Sequence, residues 1–133
     1  MKTTTTLAIA LVGATLLLAA PARAHHSMIV QFDLEKPITL RGVISQLIWT
    51  NPHSWILVDV KGADGRAETW RVETGSQARM VKRGLRKTDI QPGTEVSVGA
   101  YSARDGQLKA AGMIVTFPAR EAAGREASFS LGR

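Results

Sequence analysis

Three histidines, three tryptophans and a complete lack of cysteine bound the chemistry open to this 133-residue chain. The histidines are His25, His26 and His53. The first two directly follow Ala22-Arg23-Ala24, the kind of small-residue site at which export leaders are cut. Cutting after Ala24 makes His25 the first residue. Its free α-amino group, with an ordinary pKa near ~8, and its imidazole then offer two nitrogen donors on one residue. Nitrogen-rich tetragonal sites favour Cu(II), which heads the divalent affinity series. His26 or His53 adds another nitrogen if the N-terminal segment folds back over the strand that follows His53. The candidate metal ligands are therefore His25, His26 and His53, and copper is the cofactor this pattern suggests. The plainer alternative is a solvated terminus and a His53 that only bonds loop backbone.

The second constellation is aromatic: Trp49, Trp55, Trp70 and Tyr101. Period-two alternation puts His53, Trp55, Leu57 and Asp59 on one strand face and Ile56, Val58 and Val60 on the other. Trp55 is thus either a platform on which a ligand stacks or a side chain packed under a loop or the N-terminal segment. Trp70 shares a face with Val72 and reads as core. Arg71 and Arg79 offer contacts to phosphate or carboxylate. The candidate ligand-binding residues are His53, Trp55 and Arg71.

No catalytic residue is assigned. The chain has no G-x-S-x-G, H-E-x-x-H, P-loop or dinucleotide fingerprint, and no cysteine nucleophile. Its carboxylates lie among lysines and arginines and read as solvated surface charge. The expectation is a binding module without catalytic activity, for a small ligand or a periplasmic protein. A copper-binding or copper-handling protein is the alternative.

The elements that must position these residues begin after a leader. Lys2, the 14-residue apolar run Leu7 to Ala20, Pro21 and the Ala-x-Ala site are the parts of a secretory signal peptide. The run is shorter than the ~20 residues a membrane span needs, so no stable anchor is expected after cleavage. Periplasmic location follows as an expectation. Residues 1–24 form the leader, 25–117 the domain and 118–133 a flexible tail, since Ala, Arg, Glu, Gly and Ser dominate the end. Loss of Lys2 and Arg23 leaves 15 basic against 11 acidic residues, a net charge of +4. That mild excess argues against a nucleic-acid partner.

Ile38 to Thr50 reads as a long strand whose apolar residues change face near Gly42, a place for a bulge or bend. His53 to Val60 and Ala67 to Thr74 are the next two strands, joined through Asp64-Gly65. Ser76 is a plausible helix N-cap and Gly84 a stop, with Ala78, Val81 and Leu85 on the inner side and Arg79, Lys82, Arg83 and Arg86 outside. Val96 to Ala100 and Met113 to Phe117 complete the set. The order β-β-β-α-β-β is that of a mainly β protein: a five-stranded OB-fold-like Greek-key barrel with one short helix between strands 3 and 4. A small open sheet with one packed helix is the competing architecture.

The residues also carry a family resemblance. His25-His26-Ser27-Met28, Phe32-Asp33, Lys36 to Gly42 and above all Trp49-Thr50-Asn51-Pro52-His53-Ser54-Trp55 resemble a group of small secreted proteins of Gram-negative proteobacteria. Gly75-Ser76, Arg83-Gly84, Pro92-Gly93 and Ala103 to Gly106 extend the match to Phe117. The group is a domain of unknown function. The resemblance implies a periplasmic OB-like barrel and no established activity. Leu85 stands where that group often has Trp, and the tail lacks a short Asp-Gly-Arg segment found there.

Overall fold

The computed structural model describes residues 28–133. The expected leader and its cleavage site, with His25 and His26, lie outside the described residues. In chain order the elements are α1 (Met28–Gln31), β1 (Phe32–Ile48), β2 (Trp55–Lys61), β3 (Ala67–Glu73), α2 (Gln77–Lys82), a 3-10 turn (Lys87–Asp89), β4 (Glu95–Ala103), β5 (Lys109–Thr116), α3 (Pro118–Ala122) and β6 (Ser128–Ser130).

β1 to β5 close into a ring. β1 pairs antiparallel with β2 on one edge and with β4 on the other. β2 pairs with β3 and β4 with β5, both antiparallel. A short parallel seam of β3 and β5 closes the barrel. This is the OB-fold-like order expected from the sequence, with α2 between β3 and β4. The alternation explains it: Ile56, Val58 and Val72 point inward against Leu40, Ile44, Val96, Val98 and Val115, all buried. Burying each such side chain is worth ~1.5–3 kcal/mol, and the closed ring gives every inner face a partner.

β1 begins at Phe32, six residues before the run at Ile38. It is long enough to serve both halves of the barrel and turns by register shifts between Phe32 and Pro37 and between Ile44 and Gln46. Gly42 is not the bulge. It pairs with Val60 on one side and Val96 on the other, and a Cβ there would lie 2.1 Å from the Asp59 carbonyl oxygen. The glycine lets two backbones approach.

Ser76 caps α2 by accepting from the Arg79 amide, at 3.3 Å. The inner residues differ from the expectation. Met80 and Leu85 are fully buried, while Ala78 and Val81 are exposed. The helix ends at Lys82, so its period does not extend to Leu85. That residue is returned to the core by a turn through Gly84, whose φ is +87°.

The segment 118–133, expected to be a flexible tail, is built into the fold. After α3, β6 adds to the β5 edge, pairing Val115 with Phe129. Phe129 and Leu131 are buried, and the Phe129 ring meets Phe117 edge-on at 6.0 Å. The Gly75 amide donates to the Leu131 carbonyl at 2.7 Å. Two apolar anchors outweigh a polar composition.

Candidate functional site

The candidate residues sit on the outer face of β2 and β3, beside the seam with β5. Inward alternation of Ile56 and Val72 forces Trp55, Leu57, Arg71 and Glu73 outward. Register then sets the neighbours. Trp55 lies opposite Glu73, Leu57 opposite Arg71, and Arg71 beside Lys109 across the seam.

Trp55 is half-buried, and two cations lie over its indole. The Arg71 guanidinium carbon is 5.0 Å from the ring centroid and the Lys109 ammonium 5.4 Å. Both are within cation–π range. Lys109 is further held by Phe32, whose centroid is 5.2 Å away, and by donating to Gln31 Oε1 at 3.2 Å. Arg71 itself is exposed, and among the described residues no carboxylate lies within ion-pairing distance of it. The aromatic face and the unpaired guanidinium form one flat, positively charged corner.

Glu73 organises the other half of the site. It is 8% exposed, against the reading that the carboxylates are solvated. A charge so placed must be paired. Arg133 donates to its Oε1 through both terminal nitrogens, at 2.9 and 3.3 Å. His53 Nδ1 is 3.2 Å from the same oxygen and Lys109 Nζ 3.9 Å from Oε2. Burial pulls the Arg133 pKa below its ordinary value, and the Glu73 charge works in the opposite direction. Arg133 also lies over the Phe32 ring, 5.6 Å from its centroid.

His53 is positioned by its loop. Thr50 Oγ1 donates to the His53 carbonyl at 2.7 Å, and Ser54 Oγ donates to the Thr50 carbonyl at 2.8 Å. The Ser54 carbonyl accepts from the Thr74 amide at 2.9 Å. Gln77 ties the same loop to α2, donating from Nε2 to the Trp49 carbonyl at 2.7 Å. These bonds account for Thr50 and Ser54 inside the Trp49–Trp55 motif. His53 Nδ1 faces two acceptors, Glu73 Oε1 and the Thr74 carbonyl at 3.0 Å. The network therefore assigns the proton of the neutral ring to Nδ1 and leaves the lone pair on Nε2.

Of the sequence candidates, Trp55 and Arg71 are in direct contact, and His53 joins them through Glu73 and Lys109. His25 and His26 lie outside the described residues. Among those residues no group of three or more His, Asp or Glu is placed to hold a metal ion. Trp70 packs against the core as expected. Sequence reasoning missed Glu73, Lys109, Arg133 and Phe32. Glu73 alone had a signal, since alternation puts it on the Arg71 face. A separate cleft of about 500 Å³ lies between β1, β4 and α3, lined by Arg41, Val43, Glu95 and Glu121 among others, away from this site.

No described helix is long and apolar enough to cross a membrane. A protein-family model, described as a family of unknown function (DUF6152), matches residues 14–113. Comparison with the curated proteins and with the solved structures gives no match.

Proposed function

We propose that this chain, which belongs to the family of unknown function DUF6152, is an exported binding module without catalytic activity whose ligand docks on the Trp55–Arg71 corner. The observation that carries this reading is the exposed Arg71 guanidinium, 5.0 Å over Trp55 and without a carboxylate partner among the described residues. A small molecule with a flat face and a carboxylate or phosphate matches it. The flat face stacks beside the indole and the anion meets Arg71 with Lys109 behind it. The face of strands 2 and 3 is where OB-folds commonly take ligands.

Native mass spectrometry of protein taken from the periplasm tests for a retained anionic molecule, and mass spectrometry of the same sample reads the processed N-terminus. Titration with benzoate and with inorganic phosphate, followed by tryptophan fluorescence, tests the corner. Arg71→Gln is expected to weaken binding about tenfold or more, the scale of one charged hydrogen bond. Unchanged affinity in Arg71→Gln and Trp55→Leu would remove this site.

A second reading, copper binding, is favoured by one observation. His53 Nδ1 is held by a carboxylate and a carbonyl, the arrangement that orients metal-ligating histidines and leaves Nε2 as ligand. His25 and His26 would supply the other nitrogens. Cu(II) affinity should fall in both His53→Gln and His25→Ala; equal affinity in all three proteins would reject a shared site.

A further inference from the structure

The segment from Gly75 to Thr88 carries Arg79, Lys82, Arg83, Arg86 and Lys87 and not one carboxylate. All five are exposed. Among the described residues none of them makes an ion pair. The nearest acidic residue along the chain, Asp89, is already engaged: its carboxylate accepts from the Arg86 amide at 2.8 Å and pairs with Arg120. Val81, next to Lys82 and Arg83 in the chain, has 52% of its surface exposed, an apolar side chain within the basic segment.

The segment is anchored firmly. Met80 and Leu85 are fully buried, and Gly84 lies against the Phe129 ring of β6. Arg79 donates to the Gly132 carbonyl at 3.4 Å. Among the described residues, no ion pair engages the other four cations. Unpaired cations repel one another, and a fold that only needed solubility would intersperse both signs.

We infer that α2 and the turn after it form a docking surface for an anionic lipid bilayer. Lys82, Arg83, Arg86 and Lys87 would meet the headgroup phosphates, and Val81 would enter the headgroup boundary. Clustered cations around an exposed apolar side chain are what such an interface needs. A single-stranded nucleic acid would call for aromatic rings interleaved with the cations, and Gly75 to Thr88 contains none. The surface adjoins the ligand corner, since α2 starts four residues after Glu73 and Gln77 bonds the His53 loop. The inference does not depend on the ligand reading.

The test is sedimentation of periplasm-purified protein with vesicles of phosphatidylglycerol and phosphatidylcholine, and with phosphatidylcholine alone. Binding is expected only to the anionic vesicles, and it should vanish near 1 M salt, where screening acts over about 3 Å. Each neutralised cation should lower partitioning about fivefold. The quadruple variant Lys82→Gln, Arg83→Gln, Arg86→Gln, Lys87→Gln should therefore stay in the supernatant. A control removing the same charge elsewhere, with Arg41, Lys61, Arg66 and Arg125 each changed to Gln, should lose far less. Equal loss in the two variants would mean that net charge alone acts, and it would overturn the inference. So would equal binding to uncharged vesicles, or binding to a soluble polyanion such as heparin with none to vesicles.

Discussion

Glu73 is the residue on which the site's geometry turns. Its carboxylate receives Arg133, His53 and Lys109 from three separate parts of the chain. Removing the charge leaves Arg133, itself only 9% exposed, facing a neutral partner. Breaking such a buried pair costs ~3–5 kcal/mol. Glutamine keeps an acceptor oxygen, so Glu73→Gln should cost about 2–3 kcal/mol, read as a fall in the urea midpoint. Arg133→Met should be destabilising too, and the double variant less so than the two effects added. Strict additivity would mean that the pair is not coupled. The importance of Glu73 was hidden in the sequence because a carboxylate between Val72 and Thr74 has the same local appearance as any exposed one. Its face was readable from alternation, but the donors that surround it come from residues 53, 109 and 133. Trp55 and Arg71 were legible because they share the outer faces of two strands joined by a short hairpin, where register follows from the turn, and His53 because it lies two residues before Trp55 in the loop that leads into the first of them.

Among the elements, β1 to β5 and α2 could be read from alternation and turn residues. Gly65, Gly93 and Gly106 each take a positive φ at a turn the sequence marks with Asp-Gly or Pro-Gly. β6 could not be read. Only Phe129 and Leu131 mark it, in a stretch of small and charged residues, and its pairing to β5 is a tertiary fact rather than a local one. The two readings of this segment make opposite predictions. A loose tail would tolerate Phe129→Ala without cost. A strand whose ring closes over Phe117 and Gly84 should lose about 3–5 kcal/mol, the range for emptying a buried phenylalanine site. Thermal unfolding of that variant decides, and Glu126→Ala, on the exposed approach to β6, should change the midpoint little.

At the scale of the molecule, the barrel's closure and its candidate site share the same residues. β1 pairs with β4 over eight positions, but β3 and β5 meet over three: Arg71 with Lys109, Val72 with Ala110, and Glu73 with Ala111. Parallel pairing is also slightly weaker per residue than antiparallel. The seam should therefore be the first part of the ring to open, while β1 and β4 stay paired. Trp55 stacks over the two cations that face each other across it, and Glu73 draws Lys109 from β5 toward its own strand. These contacts act as a clasp on the outside of the seam. A ligand that bridges Arg71 and Lys109 would bind the closed barrel and not the open one, so binding must raise the free energy of opening. Amide exchange gives the readout. The Arg71 amide, which donates to the Leu108 carbonyl at 2.9 Å, should exchange faster than the amides of Leu40 and Val98 in the free protein. Saturating benzoate or phosphate should slow Arg71 selectively. If Arg71 is already as protected as Leu40, the seam is no weaker than the rest of the ring. If it is less protected but unaffected by either anion, these anions do not bridge the seam.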